Sequence, residues 1–144
     1  MKPAPQGLVD FIEHHDCFYV LGRREPDGDC IGSQLALASF LKSRGKRVHT
    51  LSSGPFTRSE IIHFEGKFKA FAPPERDFER AAAIVVDCSS MARIGAVGET
   101  MPDVPVAFID HHAESGEPGP ADYLDHSAPA VTAMVFLLME AMGH

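Results

Sequence analysis

A chain of 144 residues is long enough to bury one core and short for two. With 44% hydrophobic and 23% charged residues it has the composition of an ordinary globule, and its formal charge of −7 argues against wrapping duplex nucleic acid, which needs a basic surface. Three cysteines, Cys17, Cys30 and Cys88, are odd in number and lack metal-finger spacing, which predicts reduced thiols packed in the core of a cytoplasmic protein.

The start, Met1 to Gly7, has no apolar stretch of signal-peptide type, and no run approaches the ~20 apolar residues of a membrane span. Leu8 to His14 predicts a short helix with Leu8, Phe11 and Ile12 on one face. Cys17 to Leu21 predicts a strand, and residues 30–44 a helix whose Ile31, Leu35, Leu37, Ala38 and Leu41 recur at helical spacing. Gly45 is its expected stop, and Lys42 and Arg44 suit the negative end of the helix dipole. Val48 to Leu51 predicts a second strand. Ser59 to Phe64 predicts a helical turn, Pro73-Pro74 a break, and Arg76 to Ala81 a short helical stretch. Ala82 to Val86 and Val104 to Ile109 predict buried strands, while residues 88–103 carry no firm periodicity. Pro118-Gly119-Pro120 marks a loop before the run Tyr123-Leu124, and Ala130 to Met142 predicts a final helix.

Apolar strands alternating with helical segments indicate an α/β fold, a parallel, doubly wound sheet flanked by helices. Ligands of such sheets gather beyond the carboxyl ends of the strands. Three predicted strands lead there into acids: Leu21 towards Asp27 and Asp29, Val86 into Asp87, and Ile109 into Asp110 with His111 and His112. Carboxylates held close repel one another unless solvated or paired with a cation, and with imidazole they form a hard oxygen-and-nitrogen set suited to a divalent ion. The final helix is apolar on every side apart from Glu140, so it needs cover all round. That predicts either a truncated chain or cover from another chain, a homodimer included.

These residues resemble the DHH phosphoesterase superfamily, which includes RecJ-type nucleases, nanoRNase/pAp phosphatases, cyclic-dinucleotide phosphodiesterases and family II pyrophosphatases. Pro26-Asp27-Gly28-Asp29-Cys30-Ile31-Gly32-Ser33 looks like its first motif, HxxPDGDxxGS. Val85-Val86-Asp87-Cys88-Ser89-Ser90 is similar to the second, and Asp110-His111-His112 to the third. Tyr123 to Ala130 resembles the loop into the next helix of nanoRNase-like members. The likeness runs over roughly residues 8–144.

The resemblance implies a two-manganese hydrolase of short oligonucleotides or small nucleotides, with water as nucleophile. Asp27 would help bind the first ion, Asp29 and His111 the second, and Asp87 would bridge them. His112 would lie beside the substrate phosphate, and Asp110 would orient a neighbouring imidazole. Two ions about 3.5–4 Å apart lower the pKa of a bridging water and offset phosphate charge. Arg93 is a candidate phosphate contact, with a surface salt bridge as the commoner role of such an arginine.

Two departures qualify that expectation. The first motif's His is replaced by Arg23, whose guanidinium offers no lone pair and would compete with the first ion for Asp27 and Asp87. The family's fourth motif, a DTG-like run, and its smaller C-terminal DHHA1 domain are not found in these residues. The expected unit is therefore an incomplete catalytic lobe over residues 1–144, taking one or two Mn2+. The rival expectation is a non-catalytic metal- or nucleotide-binding domain in which Arg23 stands in for the first ion.

Plainer roles compete at each position. Asp27-Gly28-Asp29 alone could be a capping turn, His111 and His112 exposed loop residues, and Asp87 a mere strand end. Ser33 suits the first turn of a helix. Lys42, Arg44, Lys46 and Arg47 read as a solvated helix end, Asp122 and Asp125 as loop residues. His14, His15, His49, His63, His126 and His144 follow no ligand spacing. A P-loop and an HExxH site are excluded by the absence of GK[ST] and HExxH. A haloacid-dehalogenase-type DxD fits less well, because the acid pair lies several residues past the strand.

Overall fold

β-Branched, aromatic and small residues build the strands, and the strands fix the site. The computed structural model describes residues 1–75, 78–113 and 115–144. In it, β1 (Cys17–Gly22), β2 (Arg47–Leu51), β3 (Ala81–Val86), β4 (Val106–Asp110) and β5 (Tyr123–Leu124) form one parallel sheet in the order β2-β1-β3-β4-β5. Every residue of β1 and β3 is buried, which is why these strands read as unbroken apolar runs without alternation.

Three α-helices pack on one face: α1 (Gln6–His14), α2 (Gly28–Ser43) and α3 (Val131–Ala141). Leu8 and Ile12 of α1, Leu37 and Leu41 of α2, and Met134 and Leu138 of α3 meet Phe18, Val20, Ile84 and Ile109 there. The opposite face is covered by residues around the short 3₁₀ turns Met91–Arg93 and Ala96–Thr100, with Ile94 and Val97 against Tyr19, Leu21, Ala83 and Val85. The sheet is thus flanked on both sides, by α-helix on one and by 3₁₀ turns on the other. Those turns fall in residues 88–103, where helical pieces of three and five residues leave no period for a sequence to display.

Predicted and observed elements agree closely elsewhere. The expected helical turn at Ser59 to Phe64 is a 3₁₀ helix at Ile62–Lys67. The stretch expected from Arg76 is a 3₁₀ turn at Phe78–Arg80, and Arg76 and Asp77 lie outside the described residues. The apolar final helix buries Val131, Met134, Val135 and Leu138 but leaves Phe136 58% exposed. Among the described residues, no helix is long and apolar enough to cross a membrane.

From β1 the chain moves outward to β2, then returns to place β3 on β1's other side. The strand order therefore reverses between β1 and β3. At such a switch point the loops leaving two adjacent strands diverge to opposite faces and open a crevice. Gly22 ends β1 where α2 passes close by: a Cβ there would collide with Cys30 Sγ and Gln34 Oε1. The buried Gln34 amide donates to Val20 O at 3.1 Å and Leu51 O at 2.9 Å, tying α2 to both strands where they separate.

Candidate metal and phosphate site

Each strand-end acid is positioned by its own local backbone. Asp27 is the N-cap of α2, Oδ1 accepting from Cys30 N–H at 3.0 Å. The capping role is therefore real, and it uses only one of the two oxygens. Asp29, in the first turn of α2, reaches across to α3: its oxygens accept from Val131 and Thr132 N–H, both at 3.0 Å. It supplies the cap that α3 lacks, since Ala130 at that helix's own N-cap has no side-chain oxygen. Asp87 follows β3 with φ +67°, a left-handed conformation that costs a non-glycine residue about 1–2 kcal/mol. That turn is held by its surroundings at the strand end whose loop must carry the carboxylate.

These groups meet. His111 Nε2 lies 3.6 Å from Asp87 Oδ1 and 3.9 Å from Asp29 Oδ2. His111 Nδ1–H is committed, donating to Ala128 O at 3.3 Å, which leaves Nε2 directed at the two carboxylates. His111 Nε2 thus faces a carboxylate oxygen on either side, at separations too long for hydrogen bonds. A shared cation satisfies such a group, and the chemistry of the set, two carboxylates and a neutral imidazole, fits one divalent ion.

The other half of the crevice is different. Arg23 Nε donates to Asp87 Oδ2 at 2.9 Å, Nη2 to Asp27 Oδ2 at 3.0 Å, and Nη1 to Glu25 O at 2.9 Å. The guanidinium therefore bridges Asp27 and Asp87, the pair expected around a first ion. A metal does not fit there while Arg23 holds both acids. Burial pushes Asp27 up, but the Cys30 N–H and Arg23 outweigh it and leave the carboxyl below its ordinary value. Asp87 goes the other way: deeper burial raises it, Arg23 offsets part, and Asp27 and Asp29 add repulsion.

Asp110 is 1% exposed and serves the two histidines beside it. Its Oδ1 accepts from His112 Nδ1 at 2.6 Å and from His111 N–H at 2.9 Å, and its Oδ2 from Ser115 Oγ at 2.6 Å. The imidazole of His112 is thereby oriented with Nε2 uncommitted. Asp87, His111 and His112 place ligand atoms within 4.8 Å of one another. His112, Arg23, Asp87, Asp110, Ser89, Ser90 and Arg93 line a cleft of about 440 Å³. Among the described residues no carboxylate lies within ion-pair distance of Arg93, so the commoner salt-bridge role is not observed. Its guanidinium is left for the cleft.

Several other sequence expectations are settled by geometry. Asp122 accepts from Phe108 and Gly119 N–H, and Asp125 from Lys2 and Ser127 N–H, so both are loop-forming residues. Ser33 lies in α2 and is buried, its hydroxyl without a partner among the described residues. Cys17, Cys30 and Cys88 are free and buried, and burial raises all three thiols. Arg44 and Lys46 are not simply solvated, since they donate to Met142 O and His15 O. His49, set aside on spacing, sits in a second cluster with Cys17 and Glu75.

A parallel α/β sheet with acids and imidazoles gathered at its switch point has its ligand crevice there, as open α/β sheets do. The profile of the DHH family, N-terminal domain, matches residues 17–144, and the chain belongs to that family. It is similar to a bifunctional oligoribonuclease and PAP phosphatase, NrnA, of Thermus thermophilus, with 29% identity over 126 residues. That match covers 87% of this chain and 37% of the relative, so the chain spans little more than a third of the relative's length. Its fold is also that of an exopolyphosphatase-related protein from Bacteroides fragilis, at TM-score 0.72 and 19% identity, over 96% of this chain and 43% of the other.

Proposed function

We propose that residues 1–144 form the catalytic lobe of a divalent-metal-dependent DHH phosphoesterase that hydrolyses short oligonucleotides or small nucleotides such as pAp in the cytoplasm. The observation that carries this is the approach of His111 Nε2 to Asp87 at 3.6 Å and to Asp29 at 3.9 Å beside the cleft. Those three residues would hold one ion, Mn2+ by family likeness, which when bound polarises a phosphoryl oxygen and acidifies a water. His112, held by Asp110, presents Nε2 to a phosphate in the cleft. Arg93 supplies a fixed positive charge to the same phosphate. Further family segments outside this lobe would choose among substrates.

The ion pairs of Arg23 favour a second reading, a binding domain that keeps one metal and no turnover. Manganese-dependent hydrolysis of a short RNA, measured for the native chain and for Arg23→His, separates the two. Recovery with histidine identifies an enzyme impaired at the first ion position. No turnover in either form, even within a full-length chain, sinks the catalytic reading. Calorimetric titration gives an independent measure: the native chain takes one Mn2+ tightly and Arg23→His takes two. Two tight ions in the native chain would show that Arg23 yields its carboxylates.

A further inference from the structure

Cys17, His49 and Glu75 place a thiol, an imidazole and a carboxylate within 4.8 Å of one another, well away from the strand ends that form the crevice. Cys17 opens β1, and His49 lies in β2 beside Tyr19, two positions further along β1. The parallel register puts all three side chains on the sheet face opposite the α-helices. Glu75 comes from the loop that crosses that face. The cluster is therefore assembled from three separate segments.

Its parts are held as a set of ligands would be. The Tyr19 ring stacks on His49 at 5.2 Å between centroids, fixing the plane of the imidazole. The Tyr19 hydroxyl donates to Pro73 O at 2.6 Å, which anchors the loop two residues before Glu75. Arg47 Nε takes Glu75 Oε1 at 2.8 Å and leaves Oε2 turned to the histidine. Among the described residues the buried His49 Nε2 has no hydrogen-bond partner, and it lies 3.5 Å from Glu75 Oε2. An orphaned buried nitrogen is costly unless something occupies the space it faces. In a tetrahedral zinc site, ligand atoms sit about 3.3–3.5 Å apart for metal bonds of about 2.0–2.3 Å. The His49–Glu75 spacing already matches, and Cys17 Sγ lies within 4.8 Å of both.

We infer that Cys17, His49 and Glu75 form a second metal site, for a thiolate-accepting ion of the zinc class, chemically distinct from the hard oxygen-and-imidazole site at the switch point. Sulfur, nitrogen and oxygen donors together select such an ion over manganese or magnesium. On binding, the Cys17 S–H bond breaks, its proton leaves to solvent, and the sulfur electron pair forms the bond to the metal. Three protein ligands leave one coordination position to water.

The site stands independently of the phosphoesterase reading, and Co2+ tests it. On the whole chain, Co2+ should produce a sulfur-to-metal charge-transfer band in the near ultraviolet with intense tetrahedral visible bands. Cys17→Ser should abolish the charge-transfer band, while Cys88→Ser and Asp87→Asn should keep it. Glu75→Gln, an isosteric change that can still accept from Arg47, should weaken Co2+ affinity about tenfold or more. Absence of the band in the native chain, its survival in Cys17→Ser, or an unchanged affinity in Glu75→Gln would each overturn the assignment.

Discussion

At the scale of single residues, the crevice is governed by which atoms are already committed. Asp110 accepts three hydrogen bonds on two oxygens, so the neighbouring imidazole is placed before any ligand arrives. An amide cannot accept on its nitrogen, and Asp110→Asn must therefore lose or invert at least one of these bonds. The expected outcome is loss of the downfield Nδ1–H resonance of His112 in the proton NMR spectrum. In any catalytically competent form, kcat should fall about 10–100-fold with KM little changed. A resonance and a kcat both preserved would mean that Asp110 only fills space. Arg23 shows the same logic in reverse. The sequence announced an arginine where an imidazole was expected, but its three donors on Asp87, Asp27 and the Glu25 carbonyl required coordinates.

At the scale of elements, α2 connects the fold to the site. Its N-terminus carries Asp27 and Asp29, its Gln34 ties β1 to β2, and it packs so closely on β1 that only glycine fits at position 22. Gly22→Ala should push the first turns of α2 off the strand, at about 1–3 kcal/mol. Because the two acids ride on those turns, divalent-metal affinity should fall along with the melting temperature. A variant that melts lower yet binds Mn2+ unchanged would separate the helix seat from the site. Strands β1 and β3 were legible because strands buried on both faces need continuous apolar runs, and Cys17 to Leu21 and Ala82 to Val86 supply them. The turns at Met91–Arg93 and Ala96–Thr100 were not, because their burial is irregular and their shape is set by packing on the sheet. Asp29 as the cap of α3 was equally hidden, since a capping contact spanning 102 residues leaves no local signal.

At the scale of the whole molecule, the strand-end acids could be foreseen to converge because a parallel sheet sends every strand's carboxyl end to one rim. The Cys17, His49 and Glu75 cluster could not, because it depends on where a proline-containing loop crosses the sheet. A second long-range tie closes the chain on itself. Asp125, 2% exposed, accepts from Lys2 N–H at 2.6 Å, from Ser127 N–H at 3.0 Å and from Ser127 Oγ at 2.6 Å, while the Tyr123 hydroxyl donates to Lys2 O. Burial alone would raise this carboxyl, but the Ser127 and Lys2 bonds prevail and hold it down at about 2, against an ordinary 3.8. A carboxylate with a lowered folded-state value binds protons more readily when unfolded. Its contribution is therefore present above pH 3.8 and is lost as pH falls from there towards 2. Asp125→Asn cannot accept from Lys2 N–H through its amide nitrogen and should cost about 1–3 kcal/mol near neutrality. Melting curves at pH 7 should place the variant several degrees below the native chain, and the gap should narrow steadily between pH 4 and pH 2. A gap that is constant across that window would mean that the clasp works through shape alone, with no contribution from the charge on Asp125.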